Sequence, residues 1–118
     1  MPERGVSPII VTKEGRSYAN ALRMLAMTRT LAAEWARHNI RMNILMLGPT
    51  EETGAIGQLF SSEKAHEKVL QGVPLKRLAR WQEVADAAAY LVSDCAAYVN
   101  GENLIIDGAV ARPRSLLG

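Results

Sequence analysis

The stretch from Ser17 to Asn43, SYANALRMLAMTRTLAAEWARHNIRMN, most constrains how this chain can fold. A long two-faced helical pattern runs almost directly into an apolar run, IRMNILML, and Gly48-Pro49 follows at once. A helix feeding a buried strand that stops at a tight turn is what a doubly wound α/β protein places where its sheet meets a ligand.

The pattern predicts a helix over about Tyr18–His38, with Ser17 as N-cap and Asn39 as terminator. Two apolar stripes are expected on it. Leu22, Leu25, Ala26 and Ala33 form one; Met24, Met27, Leu31 and Trp35 form the other. Ile40–Leu47 has the near-continuous apolar character of a parallel strand buried on both faces. Upstream, the β-branched run Ile9–Thr12 reads as a first strand. Downstream, Glu51–Phe60 is a Gly-containing connector, and Ser61-Ser62 can cap a short helix to about Gln71. That excursion suits either a substrate lid or an ordinary surface loop. Pro74–Leu78 reads as extended, Trp81–Val92 as an amphipathic helix with Val84, Ala88 and Leu91 on one side, and Asn103–Asp107 as a third strand after an Asn100-Gly101 turn. Three strands alternating with three helical segments give an α/β class, a partial Rossmann-like doubly wound fold of about three parallel strands with flanking helices. The 118 residues make one domain, 1–118, with residues 109–118 expected as a loose tail.

The totals exclude several functions. A net charge of +2 is too weak for a nucleic-acid or polybasic membrane surface. No apolar run approaches the roughly 18 residues of a membrane span, and a cytoplasmic setting is expected. Cys95 is the single cysteine, so no internal disulfide forms, and packing is expected of it rather than nucleophilic chemistry. His38 and His66 have no partners at metal-ligand spacing, so no metal is expected. Arg77 and Arg80 flank Leu78 and are expected to be solvated.

Four blocks, MTRTLAAEWARHNIRMN, GPTEETGA, PLKRLARWQEVADAAAYLVSD and AAYVNGENLIIDG, stand in an order and spacing that resemble the C-terminal half of the short-chain dehydrogenase/reductase family. GPTEETGA with DCAAYVNGENLIIDG is similar to its dienoyl-CoA reductase branch, whose members reduce unsaturated fatty acyl-CoA with NADPH. The resemblance implies an oxidoreductase fold that binds NAD or NADP at the C-terminal ends of its strands. The reaction it implies is hydride transfer to a carbonyl or an enoyl-CoA type substrate, so a small molecule or an acyl-CoA is the expected partner. It also implies a homo-oligomer paired through the long helix and the last strand.

The family's catalytic tyrosine is followed four residues on by a lysine that lowers the phenol's pKa. Tyr18 stands near that place, but Leu22 occupies the lysine position. Aligned instead from Met27-Thr28-Arg29, the tyrosine slot falls on Ser17 and the lysine slot on Ala21. The dienoyl-CoA reductase branch places a serine in that slot and keeps the lysine, so Ser17 and Tyr18 are both candidates and the lysine is missing. Thr12 is nearest to the family's substrate-binding serine. Of the family's Pro-Gly-Pro turn, whose following main chain meets the nicotinamide carboxamide, Leu47 replaces the first proline while Gly48, Pro49 and Thr50 align. Glu52 takes the usual threonine slot, and Thr53 beside it is the candidate hydroxyl. No G-x-G-x-x-G stands anywhere to seat a pyrophosphate on a helix N-terminus. The isolated chain is therefore expected to be inactive. A non-catalytic self-association module, or a truncated remnant of such an enzyme, is the alternative.

Overall fold

The computed structural model describes residues 5–13, 18–51 and 63–110. Strand β1 spans Ile9–Lys13, helix α1 Tyr18–Trp35, strand β2 Asn43–Leu47, helix α2 Glu63–Gln71, helix α3 Trp81–Val92 and strand β3 Asn103–Ile106. Short 3-10 turns follow α1 at Ala36–His38 and α3 at Asp94–Ala96.

The three strands form one parallel sheet in the order β1-β2-β3. Parallel neighbours need crossovers. Helix α1 supplies the first, and α2 with α3 lies in the second. The central strand is the most buried: Asn43, Ile44, Leu45, Met46 and Leu47 are all buried. Alternation along it divides the core into two layers. Leu45 and Leu47 pack with Val84 and Leu91 of α3, and Ile9, Leu104 and Ile106 join them. Ile44 and Met46 point to the opposite face, where α1 approaches β2.

The α1 stripe that meets the sheet differs from both expected ones. Its buried residues are Thr28 and Ala32, with Met24, Leu25 and Leu31 half-buried, while Leu22, Ala26, Met27, Ala33 and Trp35 are exposed. The two small side chains let the helix sit close: a β-carbon on Gly101 would stand 3.4 Å from the Ala32 Cβ. Asn39 ends the helical segment in the left-handed conformation, φ 59°, which asparagine tolerates better than most residues.

The remaining expectations shift at their edges. β2 begins at Asn43 rather than Ile40, although Ile40 still makes an isolated parallel bridge to Val6. Residues 74–78 turn instead of extending. Lys76 has φ 59° and its N–H donates to the Val73 carbonyl at 2.8 Å. Cys95 is exposed, not packed. On α3, Val84 and Leu91 are buried and Ala88 is half-buried, as its periodicity indicates. The neighbouring Ala85, Ala89 and Val92 remain exposed. No helix among the described residues is long and apolar enough to cross a membrane.

A polar network sets the β2–β3 register at the strands' N-terminal ends. The Asn43 amide donates to the Val99 carbonyl at 3.2 Å and accepts the Glu102 N–H at 2.9 Å. Asn100 accepts the Met42 N–H at 3.0 Å and donates to the Ala32 carbonyl at 3.2 Å. Arg41 reaches the carbonyls of Val99 and Ser93. These bonds leave the opposite, C-terminal edge as the place where the chain turns away from the sheet.

Candidate functional site

At the C-terminal edge of the sheet, β2 runs one residue past its regular pairing. The Gly48 N–H donates to the Ile106 carbonyl at 3.0 Å, which holds Gly48 against the end of β3. A β-carbon at Gly48 would lie 2.6 Å from both the Cα and the Cβ of Asp107, so only glycine fits this approach.

The turn is then clamped from the other side. Ala79 donates its N–H to the Pro49 carbonyl at 3.0 Å, and Glu51 donates its N–H to the Ala79 carbonyl at 2.9 Å. Together they make a parallel bridge between Thr50 and Ala79. The Thr50 hydroxyl folds back onto the Gly48 carbonyl at 2.9 Å. The Glu51 carboxylate accepts the Trp81 N–H at 3.2 Å, at the first turn of α3, where a negative charge is favourable.

In a bridge of this kind the flanking residues carry the bonds, and the central residue's own N–H and C=O point away from the partner. The main chain of Thr50 therefore has no hydrogen-bond partner among the described residues, although Thr50 is buried. A main-chain donor and acceptor side by side, without partners among the described residues, suit a primary amide, which offers both kinds of group.

Beside the turn, on its β3 side, a cavity of about 490 Å³ opens between Pro49, Leu75, Ile106 and Gly108, rimmed by Arg77 and Glu83. Arg77 is not simply solvated as its sequence context suggests. Its guanidinium makes a two-pronged contact with Glu83 at 2.6 and 2.8 Å. Glu83 also accepts the Arg80 N–H at 3.0 Å. These hydrogen bonds, Arg77's first and the Arg80 N–H second, hold the Glu83 carboxyl down at about 2. The same pairing raises Arg77. The sequence signal for Glu83 is its place three residues into α3, the position from which a glutamate reaches back to the N-cap N–H.

Of the candidate residues, Gly48, Pro49 and Thr50 come together in this one turn. Tyr18 opens α1, and Leu22 lies four residues on in the same helix, half exposed. Ser17 and Thr53 lie outside the described residues, as do Glu52 and most of the connector expected as a lid or loop. Thr12 is half-buried in β1, in register with Met46. Glu51 and Ala79, which clamp the turn, carry no distinguishing pattern in the sequence.

Comparison with known proteins connects this geometry to a family. A family model described as enoyl-(acyl carrier protein) reductase matches residues 12–110. A Bacillus subtilis (strain 168) protein named Probable 2,4-dienoyl-CoA reductase is 46% identical over 86 residues, which cover 72% of this chain and 34% of that protein. A peroxisomal 2,4-dienoyl-CoA reductase of Pongo abelii is 40% identical over 83 residues, 70% of this chain and 28% of its own length. Among solved structures, a short chain dehydrogenase from Bacillus anthracis superposes with a TM-score of 0.73 at 36% identity, covering 92% of this chain and 45% of that one. An Agrobacterium tumefaciens chain described as a 2-deoxy-D-gluconate 3-dehydrogenase, solved with bound NADP, reaches 0.77 at 27% identity, covering 92% of this chain and 48% of that one. The chain thus spans about a third of the length of these curated relatives and just under half of these structures. On the family model, the identities and the parallel sheet together, the chain belongs to the short-chain dehydrogenase/reductase family.

Proposed function

We propose that this chain carries the nicotinamide-carboxamide end of an NAD(P)-linked oxidoreductase site, and that alone it does not complete that site. The observation that carries this reading is the main chain of Thr50, without a hydrogen-bond partner among the described residues and presented by a turn fastened to β3 on one side and to the start of α3 on the other. The carboxamide would donate to the Thr50 C=O and accept from its N–H, with Gly48 and Pro49 fixing the approach. Thr53 is the further hydroxyl candidate. A bound nicotinamide cofactor supplies the hydride, while the protein orients it and excludes water.

The rest of the dinucleotide has no holder in this sequence, which contains no Gly-rich phosphate turn. The lysine that would tune a Tyr18 or Ser17 acid–base group is also replaced, by Leu22 or Ala21. The dienoyl-CoA reductase relatives at 46% and 40% identity favour an enoyl-CoA type substrate for the complete site. NADP is favoured by the structure solved with it. A cytoplasmic setting belongs to the same reading.

Calorimetric titration of the chain with NADPH and NADH tests it. The expected result is no saturable binding at micromolar concentrations, with nicotinamide mononucleotide at millimolar concentration still moving the Thr50 and Glu51 amide resonances. Micromolar NADPH binding, or a silent Thr50 amide, overturns the reading.

A second reading, self-association, is favoured by exposed apolar side chains on α1, where Leu22 and Met27 are 49 and 50% accessible. Each outer strand also pairs only with β2 among the described residues. It places a second copy of the chain against α1 and β3. A single monomeric species at tens of micromolar in sedimentation velocity would remove it.

A further inference from the structure

Among the described residues, two buried side-chain polar atoms have no hydrogen-bond partner: the Thr28 hydroxyl oxygen, on α1, and the Asn103 side-chain carbonyl oxygen, on β3. Thr28 is completely inaccessible. Such atoms are rare in native proteins, and each asks for an explanation.

Their placement supplies one. Asn103 pairs with Ile44 in register, so its side chain stands on the α1 face of the sheet beside Ile44. Ala32 sets the helix beside the turn that leads into β3: a β-carbon on Gly101 would stand 3.4 Å from the Ala32 Cβ, and the Ala32 carbonyl accepts a hydrogen bond from Asn100. As a crossover between parallel strands, α1 runs antiparallel to them. Stepping back one turn from Ala32 to Thr28 moves about 6 Å along the helix. Stepping on from Gly101 to Asn103 moves about 6.6 Å along the strand in the same direction. Thr28 therefore comes to the level of Asn103.

The behaviour of a neighbouring threonine sharpens the point. Thr30, on the exposed face, folds its hydroxyl back onto the Ala26 carbonyl at 3.0 Å. Thr28 makes no such bond, and its hydroxyl is buried. A buried hydroxyl and a buried amide oxygen at one level are both satisfied by a molecule that can donate as well as accept. Ala32, one turn from Thr28, and Ile44, paired with Asn103, are both buried, so a molecule placed there must be small.

We infer that Thr28 and Asn103 form an internal hydration site, in which one ordered water accepts from the Thr28 hydroxyl and donates to the Asn103 carbonyl oxygen. The water fastens α1 to the last strand at the level where neither side chain reaches the other. Buried waters of this kind satisfy groups the fold leaves unpaired and resist removal.

The test combines detection with substitution in this chain. Water-to-amide magnetisation transfer is expected at Thr28 and Asn103 in the parent and in Thr28→Ser, which keeps the hydroxyl. Thr28→Val is expected to abolish the signal and lower Tm by about 5 °C, whereas Thr28→Ser stays within about 2 °C of the parent. A long-lived water absent from the parent overturns the site. So does a Thr28→Val chain as stable as the parent, or a structure in which Thr28 bonds Asn103 or the Met24 carbonyl directly.

Discussion

Gly48 and Asp107 approach so closely at the end of the sheet that a β-carbon on Gly48 would stand 2.6 Å from the Asp107 Cα. The obstruction is main chain and the first side-chain carbon, neither of which can rotate away. Gly48→Ala must therefore push β2 and β3 apart where the turn is anchored. We expect a loss of about 1–3 kcal/mol, the usual cost of overpacking, read as a lower urea midpoint with an unchanged m-value. An alanine variant as stable as the parent would show that the approach is relaxed in solution.

Asn43 makes a comparable demand at the other end of the sheet. It is buried to 1% accessibility, and its amide satisfies the Glu102 N–H and the Val99 carbonyl together. Asn43→Ala leaves the Glu102 donor unpaired, while Val99 keeps its bond from Arg41. One stranded, part-buried donor and a lost bond are expected to cost about 1–2 kcal/mol. Hydrogen exchange should localise the change to the Ile44 N–H, which pairs with the Glu102 carbonyl.

Glu83 gives a pH-dependent outcome. Its carboxyl sits at about 2 in the folded chain, below its ordinary 4.5, because Arg77 and the Arg80 N–H bind the charged form. A depressed folded-state value adds stability that is present above 4.5 and is lost as pH falls from there towards 2. Both side chains are solvent-exposed, so the effect is small and screened by salt. A carbon-13 titration of the Glu83 carboxyl should show a midpoint near 2, and Arg77→Gln should return it towards 4.5. An unmoved midpoint in Arg77→Gln would remove the pair as its cause.

What the sequence makes legible follows from the range of the forces involved. Strand β2 and helix α3 are readable because their burial repeats along the chain: Leu45 and Leu47 alternate with Ile44 and Met46, and Val84, Ala88 and Leu91 recur at helical spacing. The sheet-facing stripe of α1 is not readable, because contact there is made by Thr28 and Ala32, whose small size matters more than their polarity. Hydropathy alone draws one stripe through Leu22 and another through Met27 and Trp35, and all three side chains are exposed in the chain. The site divides in the same way. Gly48-Pro49 announces a turn by local chemistry, whereas its clamp joins Glu51 to Trp81, 30 residues apart, through a bond no periodicity encodes.

Leu22 offers a direct test of what limits the chain's chemistry. It lies four residues beyond Tyr18 within α1 and is 49% accessible, so a longer polar side chain meets no packed neighbour. Leucine and lysine have similar helix propensity. Leu22→Lys is therefore expected to change stability by no more than about 0.5 kcal/mol. Reduction of a dienoyl-CoA by NADPH should nevertheless stay at background, because the lysine does nothing to seat the pyrophosphate. Turnover in Leu22→Lys would mean that the lysine alone was limiting, and that the cofactor is held without a Gly-rich turn.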